Sequence, residues 1–170
     1  MTYSAPIGTR IGHVHLRVAD LDRALAFYEG VLGFYLQARI GNSAAFLGAR
    51  MQESEIYHHH IGLNTWHSRG GTPAPSGHTG LYHAAILYPD RPALATVARR
   101  VLDAGIPLIG ATDHGISEAI YLDDPDGNGI ELYRDRPHTE WPRNAQGDLI
   151  MNLQPLDVAR LLTEAGGERE

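Results

Sequence analysis

Apolar and polar side chains alternate from His13 to Val18, with Val14, Leu16 and Val18 in one set and His13, His15 and Arg17 in the other. A two-residue period is that of a strand covered on one face. The period then lengthens: Leu21, Ala24, Leu25, Tyr28, Val31 and Leu32 recur at three- and four-residue steps, which predicts an amphipathic helix. Asp20 stands where such a helix would be capped and Gly33 where it would end. The same grammar returns 70 residues later, where "LYHAAILYPD" (81–90) aligns His83 with His13 and Asp90 with Asp20 of "IGHVHLRVAD" (11–20). A second helical stripe follows in Leu94, Val97, Ala98, Val101 and Leu102, with Asp90 as cap, Pro92 in the first turn, and Gly105 and Pro107 after the last.

Each predicted helix is followed by three short strand-like pieces: "YLQARI", "AAFLGA" and "HHHIGLNTW" in the first half, "PLIGA", "SEAIYL" and "GIELYRD" in the second. The strongest turn is "DDPDGNG" (123–129), where Pro and Gly supply the backbone angles of a tight reversal. Self-similarity at a fixed offset marks an internal duplication. The predicted fold is therefore α+β, a βαβββ module repeated. We place module one at 11–66, a Gly-, Pro- and Ser-rich linker at 67–80 and module two at 81–136, all within one domain (11–136). An N-terminal arm (1–10) precedes it, and an extension (137–170) follows with a short amphipathic helix in "PLDVARLLTEAG".

Composition narrows the chemistry. A formal net charge of −6 disfavours nucleic acid, whose affinity rests on Lys and Arg neutralising phosphates. No stretch has the roughly 18 consecutive apolar residues of a membrane span, and the first residues lack the pattern of a secretory signal, so the expected location is cytoplasmic, with no membrane partner. With no cysteine in the chain, any metal must be held by His, Asp or Glu. In "GIELYRD" alternation sets Ile130 and Leu132 toward the helix and Glu131 and Tyr133 away from it. A carboxylate on that face is exposed or meets something positive, such as a metal.

The doubled βαβββ layout, a His opening each half and "DDPDGNGIELY" closing the second resemble the vicinal oxygen chelate superfamily, and within it the extradiol catechol dioxygenases. The resemblance runs from about Ile11 to Arg136. It implies a cup-shaped mixed sheet around a metal, with the helices outside. It also implies His13, His83 and Glu131 as metal ligands, a two-histidine, one-carboxylate set suited to Fe(II), with Mn(II) as the alternative. Tyr121, ten residues before Glu131, matches the active-site tyrosine of these enzymes, and His114 the histidine upstream of it.

Aligning "HIGLN" with "GIELY" sets Gly62 against Glu131, so the first module has glycine where the second has its ligand. Glyoxalase I-like relatives carry carboxylates at both places, whereas a catecholate and dioxygen need the extra room. For the acid–base residue the family pattern matches His59, while strand parity places His60 on the face of Gly62; both remain candidates, and His58 reads as solvated. His15, Arg17, Asn64, Trp66 and Trp141 are weaker pocket candidates, and Asp123, Asp124 and Asp126 read as a turn, since they lack the spacing of a calcium loop. The function implied is ring cleavage of an aromatic vicinal diol with O2. A glyoxalase-type isomerase or lyase and a drug-binding resistance protein are the rivals, and a homodimer is left open.

Overall fold

The computed structural model of the chain describes residues 3–166. They fall into two compact units: residues up to 29 with 33–72, and residues 30–32 with those from 73 onward.

In the first unit β1 (Val14–Arg17) leads into α1 (Leu21–Leu25), followed by β2 (Tyr35–Ile40), β3 (Ala44–Gly48), a small hairpin of β4 (Arg50–Gln52) and β5 (Glu55–Ile56), and β6 (Ile61–Asn64). Asp20 caps α1 by accepting the Arg23 N–H at 2.8 Å. The expected helix runs on to Val31, but from Ala26 it widens into a π-helical stretch. Within it the neighbours Phe27 and Tyr28 are both buried, their rings edge to face at 4.9 Å. The sheet order is β1-β6-β3-β2, with β1 parallel to β6. Leu16, Val18, Ala24, Leu47 and Leu63 fill the interior beneath it.

The second unit repeats the plan with β7 (Ala84–Leu87), α2 (Arg91–Asp103), β8 (Gly110–Asp113), β9 (Ser117–Asp123) and β10 (Gly129–Asp135). Asp90 caps α2 through the Ala93 N–H at 2.8 Å. Leu94, Val97, Ala98 and Val101 are buried along with Ile120, Leu122, Ile130 and Leu132, as the two periodicities require. Each such aliphatic side chain contributes about 1.5–3 kcal/mol when fully buried. The order β8-β9-β10-β7 is the same first–fourth–third–second arrangement, with β7 parallel to β10. An added strand, β11 (Gln154–Pro155), extends this sheet beyond β8, and α3 (Val158–Leu162) packs on α2, with Leu161 fully buried.

The turn between β9 and β10 is templated by one carboxylate. Asp124 is 4% exposed and accepts the N–H groups of Asp126 and Asn128 and the Asn128 side-chain amide, at 2.8, 2.8 and 2.9 Å. That internal closure sets the hairpin register, which places Tyr121 directly opposite Glu131.

Candidate active site

Four chemistry-bearing side chains of the second unit form one continuous run. His83 precedes β7, Glu131 lies on β10, Tyr121 faces it across the β9–β10 ladder, and His114 follows β8. His83 Nε2 lies 2.9 Å from Glu131 Oε2. The Tyr121 hydroxyl donates to Glu131 Oε1 at 3.1 Å and meets His114 Nε2 at 2.8 Å. Burial, then the Glu131 charge and its hydrogen bond, and then Tyr82, push the Tyr121 phenol up to about 12. At neutral pH Tyr121 therefore keeps its hydrogen.

The His83–Glu131 contact needs a hydrogen on Nε2, while Nδ1 is buried with no hydrogen-bond partner. An unsatisfied buried nitrogen costs about 1–3 kcal/mol. A proton bridges the two groups at the point where an imidazole lone pair and a carboxylate oxygen would hold a cation, so the donor pair fits a divalent metal. Among the described residues no group of three or more such side chains is assembled. Of the three ligands that the resemblance implies, the second unit brings His83 and Glu131 together.

The strand end that carries His114 is braced from the far side. Glu118, 4% exposed, accepts Arg91 Nε at 2.8 Å, Arg134 Nε at 2.9 Å and Arg136 Nη2 at 3.1 Å. Arg136 Nη2 also reaches Asp113 Oδ2 at 2.6 Å. Burial alone would raise the Asp113 carboxyl, but the Arg136 and Gly115 hydrogen bonds and the nearby Arg charges hold it below its ordinary value.

In the first unit His13 is exposed, and its ring centroid stands 4.5 Å from that of His59, which also meets the rings of His58 at 4.7 Å and Phe46 at 5.2 Å. Burial, followed by the charges of His13, His58, His15 and His60, lowers the His59 pKa. His60 is used differently. Its Nδ1 accepts the Ala49 N–H at 3.1 Å, and its ring lies 4.4 Å from that of Tyr57. Strand parity put His60 on the face of Gly62, but β6 begins only at Ile61, so residues 57–60 are not bound by that alternation.

Gly62 also has a neighbour that alternation alone does not reveal. A Cβ there would stand 2.8 Å from Cγ of His15, whose ring lies 5.8 Å from Phe46 and 5.7 Å from Trp66. The space is filled by imidazole. Asn64 is buried, and its Oδ1 accepts the Trp66 N–H at 3.2 Å; Trp141 Nε1 donates to the Arg136 carbonyl at 2.8 Å. Both are in local structural use.

A family model described as the Glyoxalase/Bleomycin resistance protein/Dioxygenase superfamily matches residues 10–132. The chain belongs to this superfamily. The matched span holds His13, His59, His60, His83, His114, Tyr121 and Glu131 alike. Within the superfamily the chain is 39% identical to a catechol-2,3-dioxygenase of Bacillus subtilis over 162 residues, 95% of this chain but 54% of that protein. It thus spans about half the length of that relative. Among solved structures, a glyoxalase/dioxygenase from Nostoc punctiforme superposes with a TM-score of 0.61 at 17% identity, covering 81% of this chain and 99% of that one. A lactoylglutathione lyase from Agrobacterium tumefaciens does so with a TM-score of 0.56 at 21% identity, covering 76% and 96%. These likenesses establish the superfamily fold, and a fold shared by a dioxygenase and a lyase does not choose between chemistries. No helix among the described residues is long and apolar enough to cross a membrane.

Alternation and resemblance did not point to Tyr82, Ile109, Asn152 or Leu153, which surround His114 and Tyr121. The last two lie in a segment with too few strand residues to show a period.

Proposed function

We propose that the chain is an Fe(II)-dependent extradiol ring-cleaving dioxygenase, with Mn(II) as the alternative metal, acting on a catechol or related aromatic vicinal diol with O2. The observation that carries this reading is the unbroken run His83–Glu131–Tyr121–His114. The 39% identity to a catechol-2,3-dioxygenase supports it. His83 and Glu131, joined by His13 on the strength of its repeat match to His83, would hold the metal. When bound, such a metal supplies Lewis acidity toward the diol oxygens and redox access to O2.

The chain's own groups then divide the remaining work. Tyr121, kept protonated by its surroundings, redirects its one hydrogen from Glu131 to charge developing on a diol oxygen, with His114 Nε2 2.8 Å from its hydroxyl. His59, held neutral by burial and by its imidazole neighbours, accepts a phenolic proton and returns it later. His60 is the alternative for that role, but its Nδ1 lone pair is already occupied by the Ala49 N–H.

An oxygen electrode tests the reading. Protein loaded anaerobically with Fe(II) and given catechol should consume O2, whereas Ni- or Zn-loaded protein should not isomerise a thiol hemiacetal. His59→Ala should lower oxygen uptake by about 10²–10⁴-fold, and His60→Ala by much less. Isomerisation without oxygen uptake would overturn the proposal in favour of glyoxalase-type chemistry.

A further inference from the structure

The family match ends at residue 132, yet the cavity beside His83 and Tyr121 is completed by a residue beyond it. This cavity, about 490 Å³ in volume, is lined by His83, His114 and Tyr121 together with Tyr82, Ile109 and Leu153. Its volume lies in the range of small-molecule sites. Tyr82, Leu153 and Ile109 are 89%, 77% and 65% exposed. One exposed apolar side chain needs no explanation. Three around a cavity that holds the candidate reacting groups form a rim. Among side chains lining this cavity the carboxylate is that of Asp123, which is exposed and would repel an anionic ring substituent.

Leu153 is not on a loose tail. The Asn152 N–H donates to the His114 carbonyl at 2.9 Å, and the Leu156 N–H to the Ala111 carbonyl at 3.2 Å. Between them β11 pairs with β8, Gln154 opposite Asp113 and Pro155 opposite Thr112. The His114 ring joins the same seam, its Nδ1 lying 3.2 Å from the Asn152 carbonyl. Its other ring nitrogen, Nε2, is the atom turned to the Tyr121 hydroxyl. The bonds that fix Leu153 thus also fix His114.

We propose that Leu153 is a specificity-determining residue: with Ile109 and Tyr82 it favours diols bearing an apolar ring substituent over bare catechol and over carboxylated catechols. The inference rests on the ring-cleaving reading above. The diol oxygens belong at the His83 and Tyr121 end of the cavity, and a substituent pointing away from them meets the rim.

The test is anaerobic calorimetric binding of catechol, 4-butylcatechol and 3,4-dihydroxybenzoate to Fe(II)-loaded protein. Wild type should bind 4-butylcatechol about tenfold more tightly than catechol, and the benzoate more weakly than either. Leu153→Ala should cut the butyl preference about fivefold and Leu153→Asp should abolish it, both with catechol affinity unchanged. Because Leu153 is mostly exposed, neither change threatens the fold. Retention of the preference in both variants overturns the proposal, as does an equal loss for catechol, which would mark a general structural role. A wild type that binds the diols with the expected preference but consumes no O2 defeats the dioxygenase reading and leaves Leu153 standing; one that binds no diol defeats both.

Discussion

At the rung joining first and last strands, the first unit sets His15 opposite Gly62 and the second sets Ala85 opposite Glu131. The four repeated strands keep the same order in both units, so at this rung the units differ by an exchange of bulk across one pair of neighbours. In the first, the large group grows from the opening strand, and its ring takes the volume that any side chain at 62 would need. In the second, the opening strand offers a methyl group, and the carboxylate on the closing strand is free to turn toward His83 and Tyr121. A duplicated scaffold can thus carry a carboxylate at this rung in one copy and fill the same place in the other by trading volume between cross-strand partners.

Exchanging the bulk breaks the comparison most severely. Gly62→Glu drives a Cβ into the His15 ring and should destabilise the protein by about 1–3 kcal/mol, read from urea denaturation. His15→Ala/Gly62→Glu rebuilds the Ala85/Glu131 pair in the first unit and should recover most of that loss. Equal destabilisation of single and double variants would show that something other than the imidazole fills the space.

Acid separates the units more gently. Burial foremost, and neighbouring imidazoles second, lower the pKa of His15, His59 and His60 in the folded first unit. Below the ordinary histidine value of about 6.5 the unfolded chain then binds more protons than the folded one, and stability falls with pH. Asp113 of the second unit is shifted down from 3.8, so its contribution is intact above that value and is lost only as pH falls through its lower folded value. Amide protection, measured against the intrinsic exchange rate at each pH, should therefore fall in the first unit between about pH 6.5 and 5 while the Asp113 region of the second unit holds. Loss of protection around Asp113 at the same pH would contradict this.

The legible parts of the molecule are those where a period governs several residues at once. Both strand–helix openings, their Asp caps and the alignment of Gly62 with Glu131 follow from counting twos and threes-and-fours along the chain. The contest between His59 and His60 could not be settled that way, because parity presumes a strand already under way, and residues 57–60 precede it. The His15 ring over Gly62 was hidden for a related reason: alternation says which face a side chain takes, not which neighbour's space it enters. The π-helical widening after Leu25 departs from the very period used to predict the helix. The Asn152–Leu153 seam is held by main-chain bonds, which leave little trace in residue type.

The most direct measurement is metal content. Apoprotein is given Fe(II) anaerobically, freed of unbound metal by gel filtration and assayed for iron, as wild type, His83→Ala and Glu131→Ala. The account predicts one iron per wild-type chain and none in either variant, with circular dichroism unchanged. Full iron in Glu131→Ala, or none in the wild type, would contradict it.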